Sequence, residues 1–330
     1  MIISQTPIRV SFFGGGTDYP AYLERSPGLV FGSAINKYIY INILVNPLRN
    51  KKRFRLVYSK VEEVDHLDDI EHPAIRAVLR YFNLNYNFEI ISTADIPART
   101  GLGSSSSFTV GLIRGLFALK GEEPTPKKLA ELAHEIEIDH LGENVGLQDQ
   151  IFAAYGNVNF ISMTNKRKFR VQPILMSKEH ISALNQSLLL IYLGGQRSAS
   201  CIAKTIIKRT SQGENDDYLK QMFEITNNVK TLIFAKYRAS FIEEFADLLN
   251  ESWMLKRMLS SSITNDFVDQ TIKIARENGA YGGKLLGAGG TGMLALIAPQ
   301  HNHKSILNAL SDLQAIPIKL GGIGSKIISH

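Results

Sequence analysis

Apolar and polar positions alternate in four short runs, residues 8–13, 39–45, 54–58 and 87–92, each rich in Val, Ile, Tyr or Phe and separated by turn residues. A period of two predicts half-buried strands, and their succession predicts a largely antiparallel sheet. The period then changes. Phe108, Leu112, Ile113, Leu116 and Phe117 recur at helical spacing, and a second helix opens at Thr125-Pro126, a capping residue followed by proline, to close near Gly142. Strand patterns return at 157–163 and 169–174, around the turn Thr164-Asn165-Lys166, and again at 188–193. Helical spacing then runs through 198–210, 216–236, 240–260 and 264–278, followed by a strand at 292–298, a helix at 302–313 and a strand at 315–319. A sheet-rich half followed by a helical block and a short mixed tail predicts an α+β chain of two domains, residues 1–180 and 181–330.

Composition changes this picture modestly. A chain of 330 residues with 44% hydrophobic content can bury a sizeable core. Its longest apolar run, residues 188–193, falls far short of the about 18 residues that a bilayer crossing needs, so no membrane partner is expected. The chain enters a strand pattern at once, without the segments of a secretory signal, which makes the cytoplasm the expected location. One cysteine, Cys201, excludes an internal disulfide and a Cys-based zinc site. The charge is +6 and the pI about 9.2, but the basic residues are scattered and the densest run, residues 49–55, reads as a hairpin tip. Without a basic stripe interleaved with aromatics, no nucleic-acid partner is expected, and the positive excess suits small anions such as nucleotides and sugar phosphates. His301 and His303 have no acidic or Cys neighbour and read as solvated surface.

Chemistry concentrates in three glycine clusters. In Pro97-Ala98-Arg99-Thr100-Gly101-Leu102-Gly103-Ser104-Ser105-Ser106-Ser107 a glycine-rich turn runs into four serines at the start of an apolar helix, where free N–H groups and the helix dipole favour phosphate. It lacks the lysine of a Walker A loop. Read alone, it has a second reading as a serine cap on a core helix. The clusters Gly14-Gly15-Gly16-Thr17-Asp18-Tyr19 and Gly287-Ala288-Gly289-Gly290-Thr291-Gly292 flank it, and three such clusters in one chain point to a shared ligand. The last formally matches a dinucleotide fingerprint but leads into a strand rather than a helix. In the second helix Leu129, Ala133, Ile136 and His140 form the inward stripe with Glu137 on its edge, either a rim carboxylate or a Mg²⁺ ligand. Asp149 follows the turn glycine Gly146 and reads as a helix cap or an acid facing a ligand; Arg9, on the face opposite Val10 and Phe12, can pair an acid or a phosphate.

Together these residues resemble the GHMP kinase superfamily of small-molecule kinases. Residues 7–19 are similar to its first motif, 97–107 to its ATP-binding second motif and 284–292 to its third, so the resemblance spans nearly the whole chain. Galactokinases have Glu-His where this chain has Gly15-Gly16; the triple-glycine form, the serine-rich second motif and Gly194-Gly195-Gln196-Arg197-Ser198 look most like the D-glycero-D-manno-heptose 7-phosphate kinases, with fucokinases as near relatives. The resemblance implies a two-domain GHMP kinase fold, with an N-terminal ATP-binding domain like the second domain of ribosomal protein S5 and a ferredoxin-like C-terminal domain. It implies ATP and Mg²⁺ as cofactors, a small sugar phosphate as substrate, phosphorylation of the anomeric hydroxyl to a 1,7-bisphosphate on the route to GDP-heptose, and a monomer or homodimer. By the same resemblance Asp149 is the base and Arg9 its partner, and Pro97, Gly101, Leu102, Gly103, Ser104, Ser105 and Ser106 line the triphosphate site. Ser105 and Glu137 hold Mg²⁺, while Gly15, Gly16, Thr17, Asp18, Gly289 and Gly290 bind substrate. Arg197, at a helix start just after a strand and the Gly194-Gly195 turn, is either an exposed cap arginine or the holder of the acceptor phosphate.

Overall fold

The computed structural model describes residues 1–45, 52–84, 86–165, 167–174, 176–195 and 199–329. Its frame is a long antiparallel hairpin, β1 (Ile2–Phe13) and β2 (Gly28–Val45), whose connection carries the short helix α1 (Pro20–Leu23). Next come β3 (Phe54–Val57), β4 (Val61–Val64), α2 (Pro73–Phe82) and β5 (Phe88–Ala94). β5 pairs with the second half of β2, and β3 runs parallel to β5. Helices α3 (Ser104–Leu119), α4 (Pro126–Glu135) and α5 (Gln148–Tyr155) follow; α3 and α5 pack on the hairpin and α4 packs on both. β6 (Val158–Thr164) pairs with the first half of β2, and β7 (Lys168–Pro173) with β6.

The second half opens with α6 (Lys178–Ser187) and β8 (Leu188–Tyr192), then four helices, α7 (Ala199–Ser211), α8 (Asp216–Phe234), α9 (Phe241–Met258) and α10 (Asp266–Glu277). It ends with β9 (Gly282–Leu285), β10 (Met293–Ile297), α11 (His303–Ala309), β11 (Gln314–Ala315) and β12 (Lys326–Ser329). A second antiparallel sheet has the order β11-β8-β10-β9, whereas β12 returns to pair with β1 at the edge of the first sheet, so the end of the chain lies with the first half.

Where local pattern and tertiary surroundings disagree, the surroundings win. Residues 28–35 show no alternation because helices and sheet cover both faces, and all eight are buried. Only the less buried second half of β2 carries the strand signature. The second helix does not continue regularly to its end: residues 136–140 form a wide π turn, with the Leu141 N–H donating to Ile136 O at 3.0 Å. The extra residue rotates the stripe, so His140 is exposed and Glu137 is fully buried, the reverse of the regular-helix expectation. The two halves meet through aromatic rings. Phe245 of α9 packs edge-on against Phe12 and Phe13 of β1, with centroids 5.5 and 5.2 Å apart, each such pair contributing about 0.5–1.5 kcal/mol beyond its buried area.

Candidate active site

β1 delivers Arg9 to the mouth of the loop before α3. Its backbone N–H donates to Leu102 O at 3.0 Å, and its guanidinium grips Asp149, in the first turn of α5, through Nε to Oδ1 at 2.8 Å and Nη2 to Oδ2 at 2.7 Å. Nη1 donates to Gly101 O at 2.6 Å, tying the pair to the glycine loop. The Asp149 side chain keeps 24% of its surface exposed against 6% for Arg9, so the carboxylate faces outward with the arginine behind it. Gly103 leads into α3 with φ 72°, and a Cβ there would lie 3.2 Å from Asp149 Oδ2 and 3.3 Å from Arg9. A side chain at 103 would be strained and would press on the acid pair.

The first intrahelical N–H bond of α3 is Ser107 to Gly103 O, which leaves the N–H groups before it, next to the glycine loop, without intrahelical partners. Pro97 and Arg99 form an exposed lip, while Thr100 and Leu102 are buried. The third glycine cluster closes over this loop: a Cβ on Gly287 would come within 2.6 Å of Gly101 Cα, and Met293 N–H donates to Thr100 O at 3.0 Å. Gly289 and Gly290 are buried behind it. Gly290 donates to Ile263 O and accepts from Asn265 Nδ2, and a Cβ on Gly289 would meet Ile263 O at 2.7 Å, so both glycines pack the loop against residues 263–265.

Glu137 lies beneath the start of α3. Its Oε2 accepts from Ser106 Oγ at 2.9 Å and from Gln150 Nε2, while Oε1 is buried without a partner, as is Gln150 Oε1. Burial raises its pKa to about 7, more than the Gln150 and Ser106 hydrogen bonds lower it, and Glu143 adds to the rise. The expected partner Ser105 is not the serine that reaches Glu137. Successive helical residues are turned by about 100°, so Ser105 is exposed on the outer face and Ser106 points inward. No group of three or more His, Cys, Asp or Glu side chains suited to a metal occurs among the described residues. A divalent ion here would take one carboxylate, a serine hydroxyl and nucleotide oxygens, a set that suits Mg²⁺, and the orphaned Oε1 is where a cation is wanted.

Asp18, from the β1–β2 connection, is 2% exposed; Oδ1 accepts from Gly16 N–H at 2.9 Å and Oδ2 from Gln148 Nε2 at 3.0 Å. Burial pushes its pKa up, with a contribution from the Asp149 charge, against hydrogen bonds that lower it. A Cβ on Gly146 would overlap Asp18 Oδ2 at 1.8 Å, which explains the glycine before Gln148. Gln148 also accepts from Ser11 Oγ at 2.7 Å, and Gly15 lies beside both. The Thr17 hydroxyl is already occupied, donating to Gly14 O at 2.7 Å and accepting from Leu29 N–H at 3.1 Å, so it braces the loop. Arg197 lies outside the described residues.

Two lysines that were not among the expected site residues lie beside it. Lys256 of α9 is buried and donates to Leu285 O at 3.1 Å and Gly287 O at 2.6 Å; burial, then Arg9, lowers its pKa to about 7. Lys284 of β9 is buried and donates to Phe12 O at 2.6 Å, with its pKa driven down by burial and by Lys256 and Arg9. Helical spacing marked Lys256 only as a polar position, although Lys284 stands at the head of the third glycine cluster.

The free N–H groups at the start of α3, the acid–arginine pair and a buried carboxylate with one unpartnered oxygen thus stand together around the glycine loop. The models for the GHMP kinases N terminal domain and the GHMP kinases C terminal match residues 70–157 and 234–315, together just over half of the chain. The chain belongs to the GHMP kinase family and is an ATP-dependent kinase. It is 27% identical over 323 residues to the D-glycero-alpha-D-manno-heptose 7-phosphate kinase of Campylobacter jejuni, covering 94% of this chain and 93% of that one. It is 24% identical to the bifunctional fucokinase/GDP-fucose pyrophosphorylase of Arabidopsis thaliana, over 89% of this chain and 29% of that one. Its fold matches the crystal structure of a D-glycero-D-manno-heptose 1-phosphate kinase from Bacteroides thetaiotaomicron with a TM-score of 0.80 at 22% identity, over 100% of this chain and 99% of that one.

Proposed function

We propose that this kinase transfers the γ-phosphoryl group of ATP to the anomeric hydroxyl of a sugar phosphate, D-glycero-D-manno-heptose 7-phosphate, giving the 1,7-bisphosphate on the route to GDP-heptose. The observation that carries the reading is the bidentate Arg9–Asp149 pair, partly open to solvent, at the foot of the α3 phosphate cradle. Asp149 accepts the proton of the acceptor hydroxyl as its oxygen bonds to the γ-phosphorus and the bond to the bridging oxygen of ADP breaks. Arg9 holds that carboxylate in place and offsets charge building on the transferring group. The α3 N–H groups cradle the phosphates. Glu137 and Ser106, with Ser105 at the outer edge of the same turn, would hold Mg²⁺, which neutralises phosphate charge when bound. Asp18 accepts from hydroxyls of the sugar. The reading includes the cytoplasm, where ATP is at hand, and no helix among the described residues is long and apolar enough to cross a membrane.

The test is ATP-dependent turnover on a panel of free sugars and sugar phosphates, with the product position assigned by NMR. A strong preference for the 7-phosphate, with phosphate added at the anomeric carbon, is expected; turnover on free sugars alone would replace it with a fucokinase-like sugar 1-kinase. That second reading draws support from the charge around Asp18, where Glu24 lines the same pocket and the one described arginine, Arg167, is already paired with Asp139.

A further inference from the structure

Three buried cations surround the contact between the loop before α3 and the third glycine cluster, yet only Arg9 has a carboxylate, that of Asp149. Lys256 and Lys284 are 6% and 2% exposed and form no ion pair among the described residues. All three are aimed at backbone carbonyls instead. Arg9 Nη1 holds Gly101 O at 2.6 Å, Lys256 Nζ holds Gly287 O at 2.6 Å and Leu285 O at 3.1 Å, and Lys284 Nζ holds Phe12 O at 2.6 Å. Gly101 and Gly287 are themselves in backbone contact, so Arg9 and Lys256 grip the two touching loops from opposite halves of the chain.

Carbonyl dipoles compensate a full charge only in part, and a buried ammonium without an anion is costly. An arriving triphosphate would supply that anion, and the ammonium meanwhile keeps Leu285 O and Gly287 O engaged, so that these negative ends do not face the phosphates. The groups around Lys256 are Arg9 from β1, Lys284 from β9, Asp18 from the β1–β2 connection and, on its own helix, the Trp253 ring, whose centroid lies 5.8 Å from Nζ. Burial first and Arg9 second lower the Lys256 pKa to about 7, against Asp18, which raises it. Lys284 is driven further down by burial, Lys256 and Arg9.

We propose that Lys256 is a positioning residue for the nucleotide, whose ammonium holds the third glycine cluster over the phosphate loop and takes up a proton from solvent, on the Nζ lone pair, as the triphosphate binds. The inference rests on the triphosphate lying at the start of α3. The sign follows from linkage. Below about pH 7 the ammonium is already charged and attracts the nucleotide in full; as pH rises, binding must first draw a proton, and at high pH the neutral amine attracts nothing.

The test is calorimetric titration of the whole chain with Mg²⁺ and the β,γ-imido analogue of ATP, in buffers of different ionisation enthalpy. At about pH 7.5 the wild type should take up about half a proton more than Lys256→Met, a difference in which the nucleotide's own ionisation cancels. The Kd of Lys256→Met should exceed that of the wild type about 10-fold near pH 6 and about 3–10-fold near pH 7, converging to within about 2-fold near pH 9. Lys256→Arg, charged at every pH, should bind tightly without the extra proton; if it does not fold, the Lys256→Met comparison decides. A gap in Kd that is the same at every pH, with equal proton uptake in both proteins, would reduce Lys256 to a prop for the loop and overturn the proposal. Uptake that survives in Lys256→Met and vanishes in Lys284→Met would also overturn it, by giving the proton to Lys284. Ser104→Asp tests the underlying placement separately, because a negative charge in the first turn of α3 should weaken nucleotide binding about 10-fold or more. Unchanged binding in Ser104→Asp moves the nucleotide away from α3, whereas weakened binding there together with a pH-independent Lys256→Met gap keeps the nucleotide at α3 and sinks the role of Lys256.

Discussion

Two carboxylates flank the first turn of α3, and they are in opposite states. Asp149 has both oxygens bonded to Arg9 and part of its surface in solvent. Glu137 is entirely buried, shares one oxygen between Ser106 and Gln150 and leaves the other bare, with its pKa raised to about 7. The first is complete without ligand, as the proposed role of positioning an acceptor hydroxyl would need. The second is incomplete, since an uncompensated buried carboxylate destabilises the fold until a proton or a cation joins it. One carboxylate is thus satisfied within the fold as it stands, and the other is not.

The sharpest way to break the comparison is to remove the completed half. Asp149→Asn should lower kcat by about 10²–10⁴-fold while ATP binding, read by titration, is retained. A folded variant with near-normal kcat would take Asp149 out of the reaction.

Removing the incomplete half should do the reverse to stability. Because the folded pKa of Glu137 lies above the ordinary 4.5, its favourable contribution is complete below about pH 4.5 and is lost as pH rises through about 7. Above that, ionisation costs the fold roughly 3 kcal/mol. Glu137→Gln should therefore unfold at higher urea than the wild type at pH 8 in the absence of Mg²⁺ and nucleotide, with a smaller gap at pH 5, while its activity needs more Mg²⁺. An identical wild-type and variant pH dependence would mean that Glu137 is not strained by burial.

The serines distinguish inner from outer face. Ser106→Ala, which removes a hydrogen bond to a carboxylate, should lower kcat by about 10-fold or more, and Ser105→Ala should have the smaller effect. The opposite order in steady-state kinetics at limiting Mg²⁺ would put the ion on the outer face. The smallest effect is expected at Lys256→Met, which releases Leu285 O and Gly287 O and loosens the third glycine cluster over Gly101. A rise of about 3–10-fold in the KM for ATP with kcat little changed is the expected result.

Much of the frame was legible in spacing. The cap Thr125, whose Oγ1 accepts from Lys128 N–H at 3.2 Å, opens α4 where expected, and the serine-rich helix begins at Ser104. Two helices were missed that carried usable signals: His72 caps α2 just before Pro73, and Ser177 caps α6, accepting from His180 N–H at 3.3 Å. β12 carried none that stood out. It is four residues long, and its place beside β1 depends on a partner more than three hundred residues away.

Residue types and local periods determined most of the elements, the three glycine clusters and the identity of Arg9, Glu137, Asp149 and Asp18 as groups needing partners, because capping, turn chemistry and amphipathic spacing act over a few residues. Tertiary structure alone decided which partners they found. It joined Arg9 to Asp149 across 140 residues of chain, turned Ser106 rather than Ser105 toward Glu137, and set Lys256 and His134 in the interior. Burial and charge compensation are properties of the packed whole, and a π turn that shifts one helix by a single residue is enough to exchange the exposed and the buried side chain.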